Sequence, residues 1–147
     1  MTHFEGDRDL PLPPAELWPK LSDARFLVGC VPDVVSVTRA EPAEAACVIR
    51  PGFSFVRGSL ELTLQVVDPV PDTSARLVLT TRGIGATTRV ETACTLAPQG
   101  AGTRLHWTAD LVERTGLLKA VPEGLVKAAA QKVIADAWAA LENKLAG

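Results

Sequence analysis

The side chains capable of chemistry are few in this sequence, and they are scattered. Histidine occurs only as His3 and His106, and tyrosine not at all. A metal centre needs several His, Cys or carboxylate ligands at short spacing, and no such set is apparent around either histidine. Cys30, Cys47 and Cys94 lie far apart and form no CxxC pair. Cys30 is a candidate nucleophile, but a buried structural thiol is the commoner use of such a residue. Ser54, Ser59 and Ser74 lack the strand–turn–helix setting of a nucleophile elbow. Gly83-Ile84-Gly85 joins two strands with no helix behind it, so it is not a phosphate loop. These residues lead us to expect neither a metal nor a cofactor.

Two other residue types carry sharper alternatives. Arg8 alternates with Phe4 and Gly6, so an inward Phe4 implies an inward Arg8. An inward guanidinium needs a protein carboxylate or the acidic group of a ligand. The simpler expectation is an arginine at the sheet edge reaching water. Trp107 lies mid-strand between Leu105 and Ala109 and must face inward, either filling the core or lining a cavity. Trp18 and Trp138 fall near the margins of helical apolar stripes, where they pack on neighbours or form a rim. His106, Arg57 and Glu61 fall on polar strand faces and are expected in solvent.

The elements that would position these residues read in order. Thr2 to Leu10 is a strand with Phe4 and Leu10 on one face. Pro14 opens a short helix to Leu21, and Ser22-Asp23 supplies the N-cap of a second, Ala24 to Val28. From Val34 the apolar period becomes two. Strands are expected at Val34–Ala40, Ala45–Arg50, Phe53–Val67, Ala75–Arg82, Thr87–Leu96 and Thr103–Glu113. Phe53 and Phe55 are odd positions, whereas Leu60, Leu62 and Leu64 are even, so a bulge is expected near Arg57-Gly58. Pro122 to Leu145 then has helical period, with Val126, Ala129, Ala130, Val133, Ile134, Ala137 and Leu141 on one face. Such a helix is roughly 36 Å long at 1.5 Å per residue. Its stripe must be buried on the sheet, which makes Val133 a core position. The alanines either let the helix lie close on the sheet or leave room for a guest. Close packing is the general rule, so close approach is the expectation.

Consecutive strands without intervening helices mean an antiparallel meander and an α+β fold. Its 147 residues fit one domain spanning the whole chain (1–147). The net charge of −2 provides no basic field for nucleic acid. No apolar run is long enough for an integral membrane segment, and the polar start MTHFEGDRD does not read as a secretion signal. Three dispersed cysteines suit a reducing cytoplasm.

Several motifs, in this order and spacing, resemble the carbon monoxide dehydrogenase G-subunit family. They are Phe4-Glu5-Gly6, Pro14-Ala15-Glu16-Leu17-Trp18, Leu21-Ser22-Asp23, Cys30-Val31-Pro32, Arg57-Gly58-Ser59-Leu60-Glu61-Leu62, the Gly83/Gly85 pair and Gly102-Thr103-Arg104-Leu105-His106-Trp107, followed by the long last helix. That family belongs to the START-like, or Bet v 1-like, helix-grip superfamily. The resemblance implies a curved seven-stranded antiparallel sheet around the C-terminal helix, two short helices at one end, and an apolar cavity between sheet and helix. It also implies a link to molybdenum hydroxylase-type oxidoreductases. One departure stands out: Asp33 occupies a turn position where the family has glycine.

The reading that follows is a non-catalytic module holding a small apolar or amphipathic ligand, with an oxidoreductase as a possible partner protein. Its expected lining is Phe53, Phe55, Leu79, Val90, Thr92 and Trp107 from the strands, and Ala129, Val133 and Ala137 from the helix. Phe26, Leu27 and Val31 would close one end. The alternatives are a polyketide cyclase-like enzyme, which would want a buried His, Tyr or paired carboxylates, and an interaction protein with a closed core.

Overall fold

The alternation that begins at Val34 becomes a meander in the computed structural model, which describes residues 2–52 and 58–146. The order is β1 (Thr2–Leu10), α1 (Pro14–Leu21), α2 (Ala24–Val28), β2 (Val34–Ala40), β3 (Glu44–Ile49), β4 (Leu60–Val70), β5 (Ser74–Gly83), β6 (Ala86–Gln99) and β7 (Gly102–Gly116). A 3-10 turn at Leu117–Ala120 leads into α3 (Glu123–Ala146). The strands form one curved seven-stranded antiparallel sheet in the order β1-β7-β6-β5-β4-β3-β2. The first strand closes on the last, as a helix-grip fold requires.

Local chemistry explains the boundaries. Pro14 occupies the first turn of α1, where its missing N–H costs nothing. Asp23 caps α2, accepting from the backbone N–H of Arg25 at 2.9 Å. The Arg25 guanidinium on the same carboxylate holds Asp23 below its ordinary pKa. The N–H of Ala24 bonds the carbonyl of Pro42 at 2.8 Å, tying α2 to the β2–β3 turn. On the other side, the Trp18 indole donates to the Ser74 carbonyl at 3.0 Å and ties α1 to the start of β5.

The structure departs from the sequence reading in instructive ways. β4 continues through Asp68-Pro69-Val70, because Asp68 takes a left-handed φ of 48° and lets the pairing resume at Val70↔Ser74. The 3-10 turn was not foreseen. Asp33 adopts φ 63°, so aspartate does occupy the glycine-like conformation at that turn. The bulge expected at Arg57-Gly58, together with the strand start at Phe53, lies outside the described residues except for Gly58. A bulge that is described falls on β7: Arg89 faces Glu113 but Val90 faces Leu111, leaving Val112 as the extra residue.

The core has two parts. One packs Leu10, Leu17, Leu21, Leu105, Trp107 and Leu141 beneath the C-terminal half of α3. The other packs Ala24 and Val28 on Ala45, Cys47, Ile49, Leu60, Leu62 and Leu64. Among the described residues of α3, only Leu141 is fully buried, at 5 % exposure. Val133 is 38 % exposed, which corrects the expectation that it is a core position. The alanines do not draw the helix down either: the backbone of α3 stands off from the sheet, and side chains must span the gap. The α3 side chains packed on the core all come from Ile134 onward: Ile134, Trp138, Ala140, Leu141 and Leu145. Leu141→Ala is expected to cost about 2–5 kcal/mol, as for a buried leucine. Val133→Asp, whose carboxylate reaches water, is expected to cost about 1 kcal/mol or less. Urea denaturation of both variants checks the contrast.

The β5–β6 turn carries local strain. Gly83 pairs with Ala86 around a two-residue loop in which Ile84 has φ 47° and Gly85 φ 73°. Positive φ at both positions is the type I′ pattern, which favours Asn-Gly. A β-branched residue there is a genuine outlier. Ile84→Asn is expected to raise stability by about 1 kcal/mol, the cost of one left-handed non-glycine residue. Thermal and urea denaturation would read it.

Candidate functional site

The gap between sheet and α3 is a cavity of about 390 Å³, within the range of small-molecule sites. The sheet supplies its floor in cross-strand rows. Ala75, Cys94 and Trp107 form one row, Leu77, Thr92 and Ala109 the next, and Leu79, Val90 and Leu111 a third. The helix supplies Val126, Ala129, Ala130, Val133, Ile134 and Ala137 as the roof. Leu27, Val31, Pro32, Ile49 and Pro51 complete a flank. Small residues on the roof above larger ones on the floor keep the space from filling. Val133, 38 % exposed, borders this space and does not pack into the core.

The deep end is closed by stacked aromatics. Gly6 faces Trp107 across β1 and β7, and a Cβ at Gly6 would come within 3.0 Å of the indole. The absent side chain lets the indole lie flat over β1. Trp107 then meets Trp138 of α3, with centroids 6.1 Å apart and rings tilted by 41°. The Arg8 guanidinium lies 5.5 Å from the Trp138 centroid and pairs with Glu142 at 3.3 Å. Arg8 is thus on the helix side of the edge strand β1 with a protein carboxylate as partner, and both side chains remain partly exposed to water. The Trp107 Nε1–H is buried and has no hydrogen-bond partner among the described residues.

Of the residues read from the sequence as lining, Leu27, Val31, Leu79, Val90, Thr92, Trp107, Ala129, Val133 and Ala137 border the cavity. Phe53 and Phe55 lie outside the described residues. Phe26 is placed elsewhere: its ring lies 5.1 Å from the Lys20 ammonium and 5.7 Å from that of Lys144. It packs against the core cluster that contains Leu17, Leu21 and Cys30 and does not border the cavity, because the buried face of the five-residue α2 is that of Ala24 and Val28. Sequence reasoning missed Thr81, Thr88 and Arg114, which also border the cavity. Thr81 continues the alternation of Leu77 and Leu79 and was there to be found. Arg114 was not, since the bulge at Val112 reverses the phase of β7 after Leu111.

Three buried thiols lie at or near the cavity. Burial pushes Cys94 up to about 12 and raises Cys30 and Cys47, with Lys144 partly opposing the effect at Cys30. His3 lies on the exposed sheet face, where hydrogen bonds to Glu5 and Asp110 raise its pKa. His106 is exposed there too and meets Asp7 at 3.0 Å. Among the described residues, no group of three or more His, Cys, Asp or Glu is placed to hold a metal ion. All three cysteines are free and buried. A thiol reagent at pH 8 is expected to leave the native protein almost unmodified and to titrate three thiols after denaturation without reductant. Rapid native labelling would contradict the burial described.

The chain belongs to the carbon monoxide dehydrogenase G-subunit (CoxG) family, whose profile matches residues 6–146. None of the curated proteins matches it. Among solved structures, a conserved protein from Geobacillus kaustophilus superimposes with a TM-score of 0.85 at 21 % identity, covering 99 % of this chain and 95 % of that one. A START superfamily protein from Mycobacterium smegmatis gives 0.69 at 16 % identity, covering 97 % and 96 %. TTHA0849 from Thermus thermophilus gives 0.65 at 17 % identity, covering 98 % and 97 %. At these identities the likeness shows the START-like fold. No helix is long and apolar enough among the described residues to cross a membrane.

Proposed function

We propose, with that family membership as premise, that the protein binds a small apolar or amphipathic molecule between the sheet and α3. It would do so in the cytoplasm as an accessory of a molybdenum hydroxylase-type oxidoreductase such as a carbon monoxide dehydrogenase. The observation that carries the reading is the cavity, whose walls are almost wholly aliphatic and aromatic. Each methylene a guest buries there contributes about 0.8 kcal/mol, and its atoms supply dispersion contacts that an empty apolar lining forgoes. A closed-core interaction protein would have this space filled by side chains.

The polar groups on the described wall favour binding over cyclase-like catalysis. They are Thr81, Thr88, Thr92, Arg114 and the thiols of Cys30 and Cys94. General acid–base work at neutral pH needs a group titrating near 7, whereas burial pushes the Cys94 thiol up to about 12.

Trp107 and Trp138 border the cavity, so their emission reports on a guest. Quinones, fatty acids and polycyclic aromatics are the probes of choice. A bound probe is expected to shift tryptophan emission and raise the melting temperature. Ala129→Leu, which puts a larger side chain into the roof, is expected to weaken binding about tenfold or more at near-unchanged stability of the free protein. If no probe raises the melting temperature, the binding reading is wrong.

A further inference from the structure

Apart from Thr92, the floor of the cavity from the Trp107 row to the Leu111 row is apolar. Beyond the Leu79–Val90–Leu111 row, the next row towards the β5–β6 turn pairs Thr81 with Thr88 and Thr88 with Arg114. All three border the cavity. The bulge at Val112 brings this about, turning Glu113 to the outer face opposite Arg89 and Arg114 inward opposite Thr88. A polar row across three strands thus ends an apolar trough.

The charges in this row are not balanced by the described protein. Arg8, Arg25, Arg39, Arg76, Arg89 and Arg104 each lie within 4.0 Å of a carboxylate, whereas among the described residues Arg50 and Arg82, outside the cavity, do not. Among the described residues, no carboxylate lies that close to Arg114. Its one hydrogen bond there is a long one, 3.4 Å, to the carbonyl of Val121. Four of its five N–H donors are therefore left for water or a guest. The Thr81 and Thr88 hydroxyls hydrogen-bond each other. One of the two O–H groups donates in that bond, and the other remains free to donate. A planar fork of donors beside a free hydroxyl matches the two oxygens of a carboxylate.

We infer that the occupant is an apolar-chain carboxylate whose head is held by Arg114 with the Thr88–Thr81 pair, and whose chain runs along the trough towards Trp107. This rests on the binding reading above and adds head-group chemistry and orientation to it. From Thr88 to Cys94, which faces Trp107, the floor runs about 20 Å at 3.3 Å per residue, room for an extended alkyl chain. An anion there neutralises a guanidinium facing an apolar space, and a neutral head of equal size does not.

The test compares dodecanoate with 1-dodecanol, two probes of one chain length, by tryptophan emission on the wild type, Arg114→Gln and Thr88→Val. The wild type is expected to bind dodecanoate at least about tenfold more tightly than dodecanol, the scale of a charged hydrogen bond. Arg114→Gln is expected to abolish that preference while changing dodecanol affinity less than about threefold. Thr88→Val is expected to reduce it in part. If Arg114→Gln does not fold, Arg114→Lys, which keeps the charge and loses the fork, must still diminish the preference. Equal binding of the two probes by the wild type, or a preference that survives loss of Arg114, overturns the carboxylate inference alone. Failure of both probes, together with every other apolar probe, overturns the binding reading and this inference with it.

Discussion

The structure depends on how α3 is held. Its C-terminal part is fixed to the sheet by buried Leu141, by Trp138 on Trp107, and by Arg8, which reaches both the Trp138 ring and Glu142. Large side chains seat that end. Towards the N-terminus the facing residues shrink to Ala129, Ala130 and Val133, which cannot span the same distance. Where these small residues face the sheet they border open space and do not fill it. The sheet is held down by its own ladder, closed by β1 on β7. The cavity is the geometric remainder of these two constraints.

Keeping such a space open has an energetic cost. Protein interiors ordinarily reach crystalline density, and an apolar void loses contacts on every wall. The described core offsets this by dividing in two. The aromatic and leucine cluster under the end of α3 is well packed, and so is the α2–β3–β4 cluster with fully buried Ala24, Ala45 and Cys47. The region between them is free to serve a guest. Membership of the CoxG family and a START-like fold agree with that division, but a fold alone does not name a ligand. What bears on any ligand is the chemistry of the walls, which are apolar along the trough apart from Thr92 and polar across one row at its end.

Much of the architecture was legible in the chain. Period two from Val34 onward, the turn residues between strands, the Pro14 opening, the Asp23 cap and the 3.6-residue stripe after Pro122 each rest on local rules of backbone and side chain. The inward set Leu105, Trp107 and Ala109 followed from alternation alone. Seven of the proposed lining residues border the cavity for the same reason, since alternation and helical period specify a face, while Leu27 and Val31 reach it from α2 and the turn after it. Strand ends were read less well, because Asp68 in a left-handed conformation let β4 continue through a sequence that reads as a turn.

What a face meets is a different matter. The helical stripe is the same whether α3 lies flat on the sheet or stands off it, so the sequence could not distinguish Val133 in a core from Val133 at an open wall. The partner of Arg8 is 134 residues away, and the indole of Trp107 rests on Gly6 of another strand. Arg114 enters the cavity only because β7 holds one residue more than β6 at Val112. The sequence by itself determined the elements and their faces, because propensity, capping and periodicity act over a few neighbouring residues. The tertiary structure alone decided the stand-off of the helix, the cavity and the polar row, because these depend on register and distance between segments far apart in the chain.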